Sequence, residues 1–220
     1  STYLGLFTFC LDDSGNICGE PTSIQLRWDK SFEQLILPNL YVFAVGIGNY
    51  HDKNLPPLKY TVKDCKDFVA AIQTKKGKPY NDVFTHVLLD ESATRDSIYE
   101  GIAWLKRHVT QNDVAIFYYA GHGMPDESNG TSYLLPVDGK SNIPATGYSM
   151  SRLYAELNGL NAACVTVLMD ACFSGSKRGE GMLASARGVA LKAKAEAPKG
   201  NMLVMTAAQG SETAYPYKEK

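Results

Sequence analysis

The chain reads as an α/β domain with a mainly parallel central sheet flanked by helices, preceded by a β-hairpin, and three observations carry that reading. Five short apolar runs recur along it: YVFAVGI (41–47), VFTHVLL (83–89), VAIFYYA (114–120), CVTVLMD (164–170) and MLVMTAA (202–208). Segments of helical period separate them. The runs are apolar throughout instead of alternating with polar residues, which marks strands covered on both faces, as in parallel sheets. The size allows this, because 220 residues with 45% hydrophobic content can bury one large domain, or one domain and a small appendage.

Residues 1–40 stand apart from this rhythm. LGLFTFCLDDSGNICGE and TSIQLRW are strand-like runs around an Asp-Asp-Ser-Gly-Asn turn, so this region reads as a β-hairpin or the tail of an upstream β domain, and 41–220 as the main domain. Between the first two buried runs, Val62, Cys65, Phe68, Val69 and Ile72 fall at helical spacing, with Gly77 and Pro79 beyond as terminators. Between the second and third, Ile98, Ile102, Leu105 and Val109 do the same behind Thr94, a side chain suited to capping a helix start. A weaker helix covers about 149–158. Residues 174–200 are rich in Gly, Ala, Lys and Arg without an apolar face and read as a long exposed loop.

Charge and cysteine content narrow the function. A net charge of −1 supplies no global basic field for nucleic acid or an anionic membrane. No apolar run reaches the roughly 18–20 residues of a membrane span, and residues 1–30 show no export signal as they stand. The five cysteines, Cys10, Cys18, Cys65, Cys164 and Cys172, are an odd number with no C-x-x-C pair, so free thiols in a reducing, cytoplasmic compartment are expected, without a disulfide framework or structural zinc. Cys65 and Cys164, inside apolar periodic runs, read as packing.

The chemistry gathers at two strand ends. YYAGHGM puts His122 directly after a buried strand and between glycines, which let backbone approach a ligand and free the Gly123 N–H to meet an oxygen. VLMDACFSGS ends a later strand with Cys172. Open α/β sheets keep their sites at the carboxyl ends of strands, so the two residues can share a crevice. A thiol with an imidazole in reach supplies a nucleophile and its proton carrier. Asp170, two residues before Cys172 in extended chain, faces the same way.

A histidine in AGHG, with DACFSG fifty residues on, resembles the caspase, metacaspase and paracaspase cysteine peptidases of clan CD, over roughly 180 residues from Tyr41 to Tyr217. The resemblance implies the caspase-like three-layer sandwich, His122 as general acid/base, Cys172 as nucleophile, and the N–H groups of Gly123 and Cys172 as an oxyanion hole. Where caspases carry Gln two residues before the cysteine, this chain carries Asp170, as metacaspases and paracaspases do. A carboxylate there repels an acidic P1 side chain and attracts a basic one. Similarity to those families also nominates Asp64, in LKYTVKDCKDF, as a second pocket acid, and Glu212, in AAQGSETA, as a third. Substrates are then proteins or peptides with Arg or Lys at P1. Plainer readings stand beside these: Asp64 as a solvated helix residue, and Asp170 as a cap of the following helix or turn. Asp126, Glu127 and Asp138 are read as solvent-exposed.

The calcium-binding acidic cluster of some metacaspases follows the nucleophile, and that stretch is basic here, so no metal or other cofactor is expected. Its Lys177, Arg178, Arg187, Lys192, Lys194 and Lys199 match the expected P1 preference and are candidates for self-cleavage, beside the alternative of a solubilising loop. Caspase-like domains continue past the last motif with a small-subunit portion. Either that portion is a separate chain after cleavage at Lys218 or Lys220, or the sequence stops short of it. A monomer is expected. A caspase-like pseudoenzyme that binds basic peptides, or a thiol peptide ligase, are the competing functions.

Overall fold

A computed structural model of the chain describes residues 2–11, 17–28, 37–126, 131–171 and 200–206. They fall into two units, Ser1–Ile36 and Leu37–Lys220. In the first, β1 (Thr2–Leu11) and β2 (Ile17–Trp28) pair antiparallel from Thr2 opposite Trp28 to Leu11 opposite Ile17. The register slips between Thr8 and Cys10, one irregularity in an otherwise continuous ladder. This is the expected N-terminal hairpin; its Asp-Asp-Ser-Gly-Asn turn, 12–16, lies outside the described residues.

The second unit runs β3 (Leu40–Gly46), α1 (Thr61–Gln73), β4 (Val83–Leu89), α2 (Arg95–His108), β5 (Val114–Ala120), β6 (Gly123–Asp126), β7 (Thr131–Leu134), β8 (Tyr148–Ser149), α3 (Met150–Asn158), β9 (Cys164–Asp170) and β10 (Met202–Thr206). The five apolar runs form one parallel sheet in the order β10-β9-β5-β3-β4. One face packs on α1: Leu40, Val42, Ala44 and Ile116 bury Cys65 and Val69, and Phe68 stacks on Tyr118. On the other face Phe43, Val45, Phe117, Val165 and Val167 share a core with Ile98, Ile102 and Leu105 of α2 and Leu153 and Leu157 of α3. These are the three layers of the expected sandwich. Thr94 caps α2 as its sequence suggested, its Oγ1 accepting from Ser97 N at 3.2 Å. Lys106, Arg107 and His108 sit at the negative end of that helix.

One architectural feature decides where a site forms. From β3 the chain moves outward to β4, then crosses back to β5 and continues away to β9 and β10. The strand order therefore reverses between β3 and β5, and their carboxyl ends open the crevice where open α/β sheets hold ligands. Directly beyond β5, the strands β6, β7 and β8 form a small antiparallel sheet.

Candidate active site

His122 stands two residues past the end of β5, at this reversal, and is 9% exposed. Its backbone is fixed from both sides. The N–H donates to the Tyr50 hydroxyl at 2.7 Å, and the carbonyl accepts from Leu135 N at 2.9 Å and shares with Leu135 O the one proton of the Tyr119 hydroxyl, 2.8 Å from each. Burial, and then the neighbouring Tyr50, raise the Tyr119 pKa well above its ordinary value, so this hydroxyl remains a donor. The Gly121 between them has no room for a side chain, since a Cβ would lie 2.7 Å from the Tyr119 hydroxyl and 2.8 Å from that of Tyr50. The first glycine of AGHG is thus required by two phenols packed beneath the turn.

The imidazole is oriented as firmly as the backbone. Its Nε2 lies 2.8 Å from the carbonyl oxygen of Pro56, and the ring packs against Tyr50 with centroids 5.0 Å apart. A carbonyl oxygen can only accept, so Nε2 carries the proton and, in the neutral ring, Nδ1 carries the lone pair. The loop from β3 thereby selects which nitrogen keeps the lone pair.

The acids lie on the α1 side of the sheet. Asp170 ends β9 directly opposite Ala120, and its carbonyl accepts from Gly121 N at 3.2 Å, which ties the two strand ends. Side chains alternate along β9, so Asp170 shares the face of Leu168, which packs into the α1 core. Asp64 lies in the first turn of α1, where a negative charge is favoured by the helix dipole. Its carboxyl pKa is raised by desolvation first and by the Asp170 charge second, with Lys63 working the other way. Tyr118, below them, is raised by burial and then by Cys65, Asp64 and Asp170. The two acids are therefore within electrostatic reach of one another on one face.

The family model of the caspase domain, peptidase C14, matches residues 41–220. The chain belongs to the caspase-domain family. This caspase domain is 33% identical over 156 residues to Metacaspase-2 of Trypanosoma brucei brucei (strain 927/4 GUTat10.1), a stretch covering 64% of this chain and 43% of that protein. With Metacaspase-3 of Trypanosoma brucei brucei it shares 33% identity over 156 residues, 64% of this chain and 42% of that one. The chain thus spans less than half the length of these relatives. Protein GSU0716 from Geobacter sulfurreducens, a solved structure, has a similar fold, with a TM-score of 0.51 and 24% identity over 63% of this chain and 52% of that one.

Of the residues singled out in the sequence, the caspase domain brings His122, Gly123, Asp64 and Asp170 to one end of the sheet. Gly123 opens β6 opposite Leu134, and because Leu135 N donates to His122 O, this is a pair whose own N–H groups stay outside the ladder. Cys172, Glu212, Lys177, Arg178, Arg187, Lys192, Lys194, Lys199, Lys218 and Lys220, with Glu127, lie outside the described residues. Cys65 is fully buried and its pKa is pushed up to about 12 by burial, which suits inert packing, while Cys164 is half-buried at the start of β9. Asp138 is exposed as expected but also accepts from Arg95 N at the start of α2 at 3.0 Å, and Asp126 is half-buried instead of exposed. Among the described residues no group of three or more His, Cys, Asp or Glu side chains gathers as a metal site. Sequence reading missed Tyr50, Tyr119 and the Pro56 carbonyl. A main-chain oxygen has no letter, and Tyr50 reads as a loop residue until the fold brings it under His122.

Proposed function

We propose that this caspase domain is the catalytic part of a cysteine endopeptidase that cleaves after Arg or Lys, with His122 serving Cys172 and with Asp170 and Asp64 receiving the P1 side chain. One observation carries the reading: Nε2–H of His122 is spent on a carbonyl at the reversal crevice, which leaves Nδ1 with the lone pair to take a thiol proton. Asp170 is paired with Ala120, and Cys172 and His122 each follow two residues later. Covalent reach alone keeps Cys172 within about 7 Å of Asp170.

In this mechanism Nδ1 of His122 takes the Cys172 thiol proton, and the thiolate attacks the scissile carbonyl carbon. The negative charge moves to the carbonyl oxygen, which the N–H groups of Gly123 and Cys172 meet as donors. His122 returns the proton to the leaving amine as the C–N bond breaks, giving a thioester. Water, losing a proton to His122, then attacks that thioester, and the acid product leaves as the thiol is restored. Asp170 and Asp64 offer paired carboxylates to a guanidinium or ammonium, with Glu212 as a third acid. The same preference makes the basic stretch from Lys177 to Lys199, and Lys218, substrates for self-processing.

Fluorogenic peptides differing only at P1 test this on the full chain. Arg and Lys peptides are expected to turn over, Asp and Gln peptides not, and Cys172→Ala to abolish all turnover. Asp170→Asn removes a charged hydrogen-bond partner worth roughly 1.5–3 kcal/mol, so kcat/KM for Arg is expected to fall about 10- to 150-fold. Turnover surviving in Cys172→Ala, or a preference for Asp at P1, would refute the proposal.

A further inference from the structure

His122 owes its orientation to Pro56, and Pro56 belongs to a loop without regular structure, residues 48–58, that follows β3. Such a segment holds one carbonyl in place only if it is tied down along its length. Its ends are closed on each other by Leu58 N donating to Gly48 O at 2.8 Å, and Leu55 is buried at 4% exposure. At its start, Gly48 N and Asn49 N donate to Asp90 Oδ1 at 2.7 and 3.0 Å. Asp90 itself has φ 42°, the left-handed region that a non-glycine residue adopts rarely and aspartate more readily than most.

In the middle of the loop His51 N donates to Val137 O at 3.0 Å, and beside it Asp52 is the most heavily used tie. Oδ2 accepts both the N–H and the hydroxyl of Ser141, at 2.8 and 2.7 Å. Oδ1 accepts both the N–H and the side-chain amide of Asn54, at 2.9 Å each. The Asp52 carbonyl then accepts Leu55 N at 3.0 Å, one residue before Pro56. One carboxylate thus ties the loop to the connection between β7 and β8, 89 positions away in sequence, and folds the turn that delivers the Pro56 carbonyl. These hydrogen bonds, the Ser141 N–H first, bring the Asp52 pKa down to about 2, so the carboxylate is ionised whenever a neutral-pH enzyme works.

We infer that Asp52 is a positioning residue for His122: its clamp on Ser141 and Asn54 holds the Pro56 carbonyl against Nε2–H and so keeps Nδ1 as the base. The inference rests on the peptidase reading of His122, and one of its two tests is independent of turnover. The chain has four histidines, so an imidazole proton–nitrogen correlation spectrum of the 15N-labelled full chain is simple, and His122 is assigned by the signal lost in His122→Gln. Recorded in the Cys172→Ala background at pH 8, His122 is expected to show a downfield, slowly exchanging Nε2–H proton. Asp52→Ala is expected to lose it to exchange. In the catalytic background, Asp52→Ala is expected to lower kcat about 10- to 100-fold, the scale of a 1 Å misplacement, with KM within about twofold. Ser141→Ala, which keeps its N–H, is expected to give a smaller loss of the same kind and serves if Asp52→Ala does not fold. Glu91→Gln, which alters only the exposed contact with His51 Nε2 at 2.7 Å, is expected to change neither. An unchanged Nε2–H signal in both clamp variants, or an equal kcat loss in Glu91→Gln, overturns the inference. Absence of turnover in the parent chain with the Nε2–H signal still governed by Asp52 overturns the peptidase reading alone.

Discussion

Gly101→Ala opposes two effects of known size. Gly101 lies inside α2, and a Cβ built there would stand 2.1 Å from Phe43 Cζ and 2.4 and 2.6 Å from its Cε2 and Cε1. Carbon atoms in good contact keep about 3.5–4.0 Å, so the overlap exceeds 1 Å. Phe43 has nowhere to retreat: it is wholly buried on β3, with the rings of His86 and Phe117 centred 5.4 and 5.6 Å away. In favour of the substitution, alanine replaces glycine in a helix interior, a gain of about 0.8–1 kcal/mol. Against it, overpacking a filled core costs typically 1–3 kcal/mol, and an overlap of this size belongs at or beyond the top of that range. The clash should win by about 1–2 kcal/mol. Urea denaturation measures it as a lower midpoint at unchanged slope. Gly159→Ala at the end of α3 is the control, because its Cβ would meet nothing nearer than Ala155 O at 3.4 Å and its φ of −80° suits alanine. A Gly101→Ala protein as stable as the parent, or more so, would refute the packing of α2 on β3.

Two further expectations follow from the same geometry. Asp113 is 4% exposed and accepts from Asn39 N and Nδ2 at 3.2 Å each and from Thr110 N and Oγ1 at 2.9 and 2.7 Å. Burial works to raise its pKa, but these hydrogen bonds outweigh it and hold it below the ordinary 3.8. A depressed folded-state pKa contributes stability that is present above the unfolded value and lost as pH falls through the folded one. Asp113→Asn is therefore expected to cost about 1–3 kcal/mol at pH 7 and less as the pH drops below 3.8, whereas parallel stability curves for the two proteins would count against the clamp. For self-processing, the intact mass of the purified chain should show cleavage after one or more of the basic residues between Lys177 and Lys199, absent in Cys172→Ala; identical intact masses would remove the proposal.

What the sequence could show depended on the kind of signal each feature leaves. The central strands were readable because short β-branched and aromatic runs bounded by turn residues favour strand; β4, β5 and β9 fall on the expected residues and β3 within one, but β4, at the sheet edge, is only partly covered instead of buried on both faces, with Phe84 exposed. β6, β7 and β8, at four, four and two residues, are too short to carry any period. His122 was legible from its glycines, yet Gly121 is a glycine chiefly because two tyrosine hydroxyls occupy the space of its side chain. Asp52 and Asp138 look like ordinary loop acids in the sequence. Only the fold shows that they take N–H groups from Ser141 and Arg95. The strongest illustration is the Pro56 carbonyl, which decides the proton of His122 from 66 positions away.

The central claim, that His122 serves a nucleophilic Cys172 in a pocket for basic side chains, is tested most directly by trapping the nucleophile. The full chain is treated with a peptidyl-arginine ketone carrying a leaving group on the adjacent carbon, and the product is mapped by tandem mass spectrometry. The account predicts one adduct, on Cys172, formed far more slowly in His122→Ala and when aspartate replaces the arginine of the probe. An adduct on Cys65 or Cys164 instead, or labelling of Cys172 that is indifferent to both changes, would contradict it.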